Sequence, residues 1–149
     1  MILDERNEFC DATALNTGGA ASYLIGDVID LGDTVGDLGT GEDIYLVVQV
    51  DTTATSGGSA TGQFHLCSDA QAAIAVDGTA TYHLSTSAIA VATLVAGYEV
   101  MKVKLPAGAR YERYLGIVQT TAVAAFTAGK VNAFLTRNIN SYRNYPDGL

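Results

Sequence analysis

The feature that most constrains this chain is a series of short β-branched and aromatic segments, parted by Gly, Pro and small polar residues, with almost no helical periodicity. Ile44-Tyr45-Leu46-Val47-Val48-Gln49-Val50, held between Asp43 and Asp51, is too short for an independent helix and rich in residues that fit a pleated surface. It reads as a central, mostly buried strand. Thr52 to Thr61 is a Gly/Ser/Thr loop. The next strand, Gly62 to Ser68, alternates Phe64 and Leu66 on a packed face with Gln63, His65 and Cys67 on a wetter one. Further strands are predicted at Thr79 to Ser85, Tyr98 to Leu105, Arg113 to Thr121 and Gly129 to Arg137. In Tyr98 to Leu105, Glu99, Lys102 and Lys104 mark solvent positions, the break at Val100-Met101 marks a bulge, and Pro106 ends the ladder because it has no N–H to donate. The last two strands are expected to form a hairpin, with residues 122–128 as its connection. The best helix candidate, Ser68 to Ala75, is at most two turns behind a Ser or Asp cap.

About seven or eight short strands at fairly regular spacing argue for an all-β protein, an antiparallel jelly-roll type β-sandwich. A chain of 149 residues suits one such domain, since halving it would leave each part too small to bury an adequate core. Both ends read as extended terminal arms, residues 1–11 and residues 138–149. The first carries Ile2, Leu3, Arg6 and Phe9, and Arg137, Tyr142, Arg143 and Tyr145 stand in or beside the second. Apolar and aromatic residues on an arm need cover, from their own chain or from a partner. These eight are the candidate interface residues.

Charge is distributed unevenly. Residues 7–101 hold twelve carboxylates and no Lys or Arg, whereas residues 102–149 hold seven Lys or Arg against two carboxylates, within a net charge of -8. Two readings follow: the segments interleave in a sandwich and cancel by cross-strand pairing, or basic groups such as Arg137 and Arg143 engage an acidic partner or a second copy. An acidic chain is poorly suited to nucleic acid, where phosphate binding relies on clustered cations. No apolar run approaches the roughly 20 residues that span a bilayer, so no membrane partner is expected. The start Met1-Ile2-Leu3-Asp4-Glu5-Arg6 has no basic region followed by an apolar one, as for a product retained where it is made. Cys10 and Cys67 form no CxxC pair and are expected to stay reduced.

The inventory for catalysis is thin, and no enzymatic activity, cofactor or metal is expected. His65 and His83 are the only histidines, each in a strand segment and neither in an HxH or HExxH pair, so packing or surface roles are the ordinary reading. The acidic stretch Asp27 to Asp37 spaces its carboxylates at three or four residues, where a calcium loop alternates them at two. Gly36 to Gly41 has no Lys-Ser/Thr behind it, as a phosphate loop would.

Several ordered segments carry a resemblance. Met1-Ile2-Leu3-Asp4 with Asn7, Phe9 and Asp11, then Val28-Ile29-Asp30-Leu31-Gly32, then Gly39-Thr40-Gly41-Glu42 running into Tyr45-Leu46-Val47-Val48, are followed by Leu94-Val95-Ala96-Gly97, Arg113-Tyr114-Leu115 and Thr127-Ala128-Gly129-Lys130-Val131. In this order they resemble the jelly-roll cement, or decoration, proteins of tailed bacteriophages, from Met1 to about Leu135; beyond Thr136 the sequence departs from that family. The resemblance implies a non-catalytic structural protein, made in the host bacterial cytoplasm. It implies a homodimer seated on the outer face of the virion capsid, across neighbouring major capsid protein subunits, that stabilises the head. The alternative is a small carbohydrate-binding β-sandwich module, since the fold hosts many functions. The chain has no Trp for a sugar platform, although its eight Tyr could serve.

Overall fold

The computed structural model describes residues 4–33, 38 and 41–139, and among these nine strands form two antiparallel sheets. A single 3₁₀ turn, Glu5–Asn7, leads into β1 (Glu8–Ala14) and β2 (Ala21–Asp30). There follow β3 (Tyr45–Ser56), β4 (Thr61–Asp69), β5 (Thr81–Ser85), β6 (Ile89–Ala90), β7 (Glu99–Lys104), β8 (Tyr114–Ala122) and β9 (Phe126–Thr136). One sheet has the order β1-β9-β3-β7, the other β2-β8-β4-β5 with β6 also paired to β4. The chain therefore crosses from sheet to sheet at each step from β1 to β4, and again from β7 to β9. That alternation is the jelly-roll sandwich read from the strand spacing.

The core follows from period-two alternation. Leu46, Val48 and Val50 of β3 meet Phe64 and Leu66 of β4 and Leu115 and Ile117 of β8, all buried in one cluster. Each such side chain contributes about 1.5–3 kcal/mol by leaving water. The expected strand positions of β4, β5, β7, β8 and β9 are occupied within a few residues, whereas β3 begins where expected but runs on to Ser56, through half of the stretch read as a loop, because Thr52, Thr55 and Ser56 still pair with β9.

Four further details differ from expectation. The final hairpin does not form: β8 and β9 lie in different sheets, because the short connection after Ala122 carries the chain across the sandwich, and Phe126, placed in that connection, is a buried residue of β9. Residues 68–75 are not helical. The Asp69 carboxylate accepts the N–H of Gln71 (3.2 Å) and of Ala75 (3.0 Å), a competing local arrangement typical of Asp. Thirdly, the supposed wet face of β4 is not wet. Cys67 is buried with Ile74, Ala80 and Val118 in a second small cluster outside the main core. Gly116 makes room there, since a Cβ at that position would lie 2.6 Å from Ile74 Cδ1. Lastly, the supposed first arm is largely structured, as a turn and then a strand from Glu8 onward.

Candidate interaction surfaces

Of the eight predicted contact residues, Ile2, Leu3, Tyr142, Arg143 and Tyr145 lie outside the described residues. Phe9 is corrected to a core residue. The pairing of β1 with β9 turns its ring inward, where it is 1% exposed. Arg6 is exposed in the 3₁₀ turn, its backbone N–H held by Asp4 Oδ1 at 3.0 Å. Arg137 is exposed beyond β9 and pairs with Glu42 at 2.9 Å.

That pair is one of a group at one end of the sandwich. Lys104 meets Asp43 at 2.5 Å, and Arg113 grips Asp30 with two parallel bonds of 2.9 Å while also reaching Asp33. The Arg113 guanidinium, with the N–H of Gly32, holds the Asp30 carboxyl below its ordinary range, and Asp30 in turn raises Arg113. Basic groups from the last third of the chain thus meet carboxylates from the first third, which is the interleaved reading of the charge asymmetry. Asp30 and Asp33, from the stretch considered for calcium, are engaged by Arg113; Asp37 lies outside the described residues.

The two histidines occupy separate polar networks. His65 bridges Ser85 (Nδ1–Oγ, 2.7 Å) and Thr120 (Nε2–Oγ1, 3.1 Å), Thr120 bonds Ser22 at 2.8 Å, and the ring packs on Tyr82 with centroids 4.9 Å apart. His83 bonds Ser68 Oγ at 2.7 Å and packs on Tyr111 at 4.5 Å. These described contacts share no residue, and none orients an imidazole with a carboxylate as a general-base site requires. Burial pushes both histidines below their ordinary value, with the Glu112 charge partly opposing this at His83. Burial also pushes both thiols up, to about 12, so Cys10 and Cys67 are poor nucleophiles.

A pH dependence follows. The unfolded chain protonates its histidines near pH 6.5, whereas the folded chain resists until lower pH, so stability is full above about 6.5 and falls as pH drops through that value. Asp30 and Asp77, whose values are lowered, lose their contribution only at more acidic pH. The urea midpoint is therefore expected to fall between pH 7.5 and 5, and His65→Gln and His83→Gln each to flatten that slope. A parent midpoint constant over this range would contradict the argument.

The opposite end of the sandwich was missed by sequence reasoning. Hydrogen bonds gather its loops: Leu15 N–H to Gly129 O (2.9 Å), Ser56 Oγ to Ala125 O (2.7 Å), Val91 N–H to Ala60 O (2.9 Å) and Ala96 N–H to Thr53 Oγ1 (2.9 Å). Residues 12–26, 52–64, 86–98 and 114–129, which supply these loops, contain no Asp, Glu, Lys or Arg. Two side chains stand out from this end, Val123 at 75% exposure and Val95 at 46%. Val123 has φ 69°, and Ala124 N–H bonds Ala122 O at 2.9 Å across it, the pattern of the rare positive-φ γ-turn, strained for a β-branched residue. The signal was in the sequence: each uncharged run spans a chain reversal.

No curated protein matches the chain. A family model described as Bbp16 matches residues 9–135. The match runs from the second residue of β1 to the penultimate residue of β9, and the chain belongs to the Bbp16 family.

Proposed function

We propose that this protein is a phage capsid cement protein, a homodimer that binds the outer surface of the shell across major capsid subunits and stabilises the head. The observation that supports the reading is the jelly-roll strand order, present over the same stretch in which the order of motifs resembles that family. The rest is mechanics. A rigid sandwich does not deform under load as a loop would, and a dimer gripping two subunits makes its second contact intramolecular, so modest individual contacts give firm retention. A protein that binds only the assembled shell stabilises it by mass action. In this role the protein has no chemical step to perform, and the two histidine networks are structural.

The test is binding of purified protein to emptied heads of the encoding virus that lack it, followed by heating decorated and bare heads side by side. Saturable binding and a disruption temperature raised by several degrees are expected. Heads that neither bind the protein nor gain heat resistance would reject the reading.

A further inference from the structure

We propose that residues 140–149 form a strap over the outer face of the sheet β1-β9-β3-β7, where they cover Val47, Gln49 and Phe134. The inference does not depend on the cement reading.

Strand alternation puts these three side chains outside the sandwich. In β3, Leu46, Val48 and Val50 belong to the main core, so Val47, Gln49 and Asp51 point to the other face. In β9, Val131, Ala133 and Leu135 belong to the core, so Asn132, Phe134 and Thr136 point outward. Val47 stands opposite Phe134, and Gln49 opposite Asn132. Such a face is ordinarily wet. Here Val47 and Phe134 are each 1% exposed and Gln49 is 3% exposed, although Val47 and Phe134 join neither apolar cluster. The described neighbours do not account for this. Glu8 and Lys102, which flank the pair on β1 and β7, are charged, and the turn Glu5–Asn7 has no buried residue. An apolar sheet face is dry only beneath a second layer. The burial is found within a single chain, so that layer is the chain's own, and neither a second copy nor a shell subunit is needed to supply it.

Reach and direction select the segment among the stretches outside the described residues. Residues 34–37 and 39–40 are bracketed by Asp33, bonded to Arg113, and by Leu38, packed against the main core. Residues 1–3 span at most about 10 Å. The stripe from half-buried Tyr45 to buried Asp51 is roughly 20 Å long, at about 3.3 Å per residue. Residues 140–149 span up to about 33 Å. They also follow from the right place, because Thr136 shares the outer face and its Oγ1 accepts the N–H of Asn138 at 3.2 Å, which bends the chain toward that side. Tyr142 and Tyr145 suit the patch, since a phenol lays its ring on Val47 and Phe134 and keeps a hydroxyl for polar neighbours such as Gln49.

The experiment follows a thiol placed under the strap. In Val47→Cys, with Cys10 and Cys67 buried, the rate of maleimide labelling of the folded protein reads the cover at position 47. Labelling is expected to be slow and independent of protein concentration, and to become roughly tenfold faster or more once Tyr142→Ser and Tyr145→Ser are added. Adding Ile2→Ser and Leu3→Ser instead is expected to leave it slow. Fast labelling of Val47→Cys by itself overturns the inference, as does release by the Ile2 and Leu3 substitutions, which would assign the cover to the N-terminal residues. Protection that is lost on dilution overturns it too, since the cover then comes from a second copy. Trypsin cleavage after Arg143 reads the same contact with Val47 in place, should the cysteine variant fail to fold. It is expected to be slow in the parent and roughly tenfold faster in the chain carrying Tyr142→Ser and Tyr145→Ser, and equal rates in the two would overturn the inference.

Discussion

Phe9→Ala is expected to destabilise the isolated chain by about 3–5 kcal/mol, the usual cost of deleting a fully buried phenylalanine ring. Phe9 is 1% exposed and belongs to the cluster that includes Cys10, Leu15 and Ile25. Its strand is at the edge of its sheet, with β9 as its only sheet neighbour among the described residues. Removing the ring weakens the packing that holds β1 over β2 and leaves a cavity that the rigid ladder on β9 closes only partly. For a domain of this size the melting temperature is expected to fall by roughly 10 °C or more. Thermal and urea unfolding of the purified variant, with no partner present, decide the matter. A loss below about 1 kcal/mol would place Phe9 on a free arm after all, since surface substitutions commonly stay within about 0.5 kcal/mol.

Gly26→Ala is expected to cost about 2–5 kcal/mol through two additive causes. Gly26 has φ 69°, a conformation that costs an L-residue roughly 1–2 kcal/mol. A Cβ there would also lie 2.0 Å from Phe9 O and 2.6 Å from Cys10 Sγ, and relieving such overpacking costs about 1–3 kcal/mol more. The clash is with backbone, so no rotamer change relieves it; β1 and β2 must separate where Phe9 is anchored. Gly32→Ala isolates the first cause, because Gly32 has φ 87° and a Cβ added there would meet nothing within 4 Å. Urea midpoints of the two variants should differ clearly, with G26A the worse. Equal midpoints would mean that β1 and β2 are not in the contact described.

These two residues also explain what the sequence concealed. The strands with strong β-branched patterns, β3 above all, were legible because propensity and burial agree in them. β1 and β2 were not, because their sequences are interrupted: Ala12 in β1 and Gly26 in β2 have positive φ, and both strands shift register against their partners. Tertiary pairing makes them strands where local preference does not. Phe9 was assigned to an arm for the same reason. The exchange of β9 between sheets was equally hidden, since a turn of three residues reads alike whether it joins neighbours in one sheet or crosses to the other. For the candidate surface, the counts of charge were readable, but their separation into a paired end and a neutral end depends on which loops the jelly roll gathers.

The place of β9 has a further consequence. It is the last of the described strands to be synthesised, yet it lies between the first strand and β3 in the middle of its sheet. Until residue 136 has left the ribosome, β1 and β3 have no bridge between them, and the nascent chain holds half of a core with its two sides unjoined. The sandwich is therefore closed by a keystone delivered at the end. A chain truncated before β9 loses the strand that joins β1 to β3, although every pairing of the sheet β2-β8-β4-β5 lies upstream of the cut.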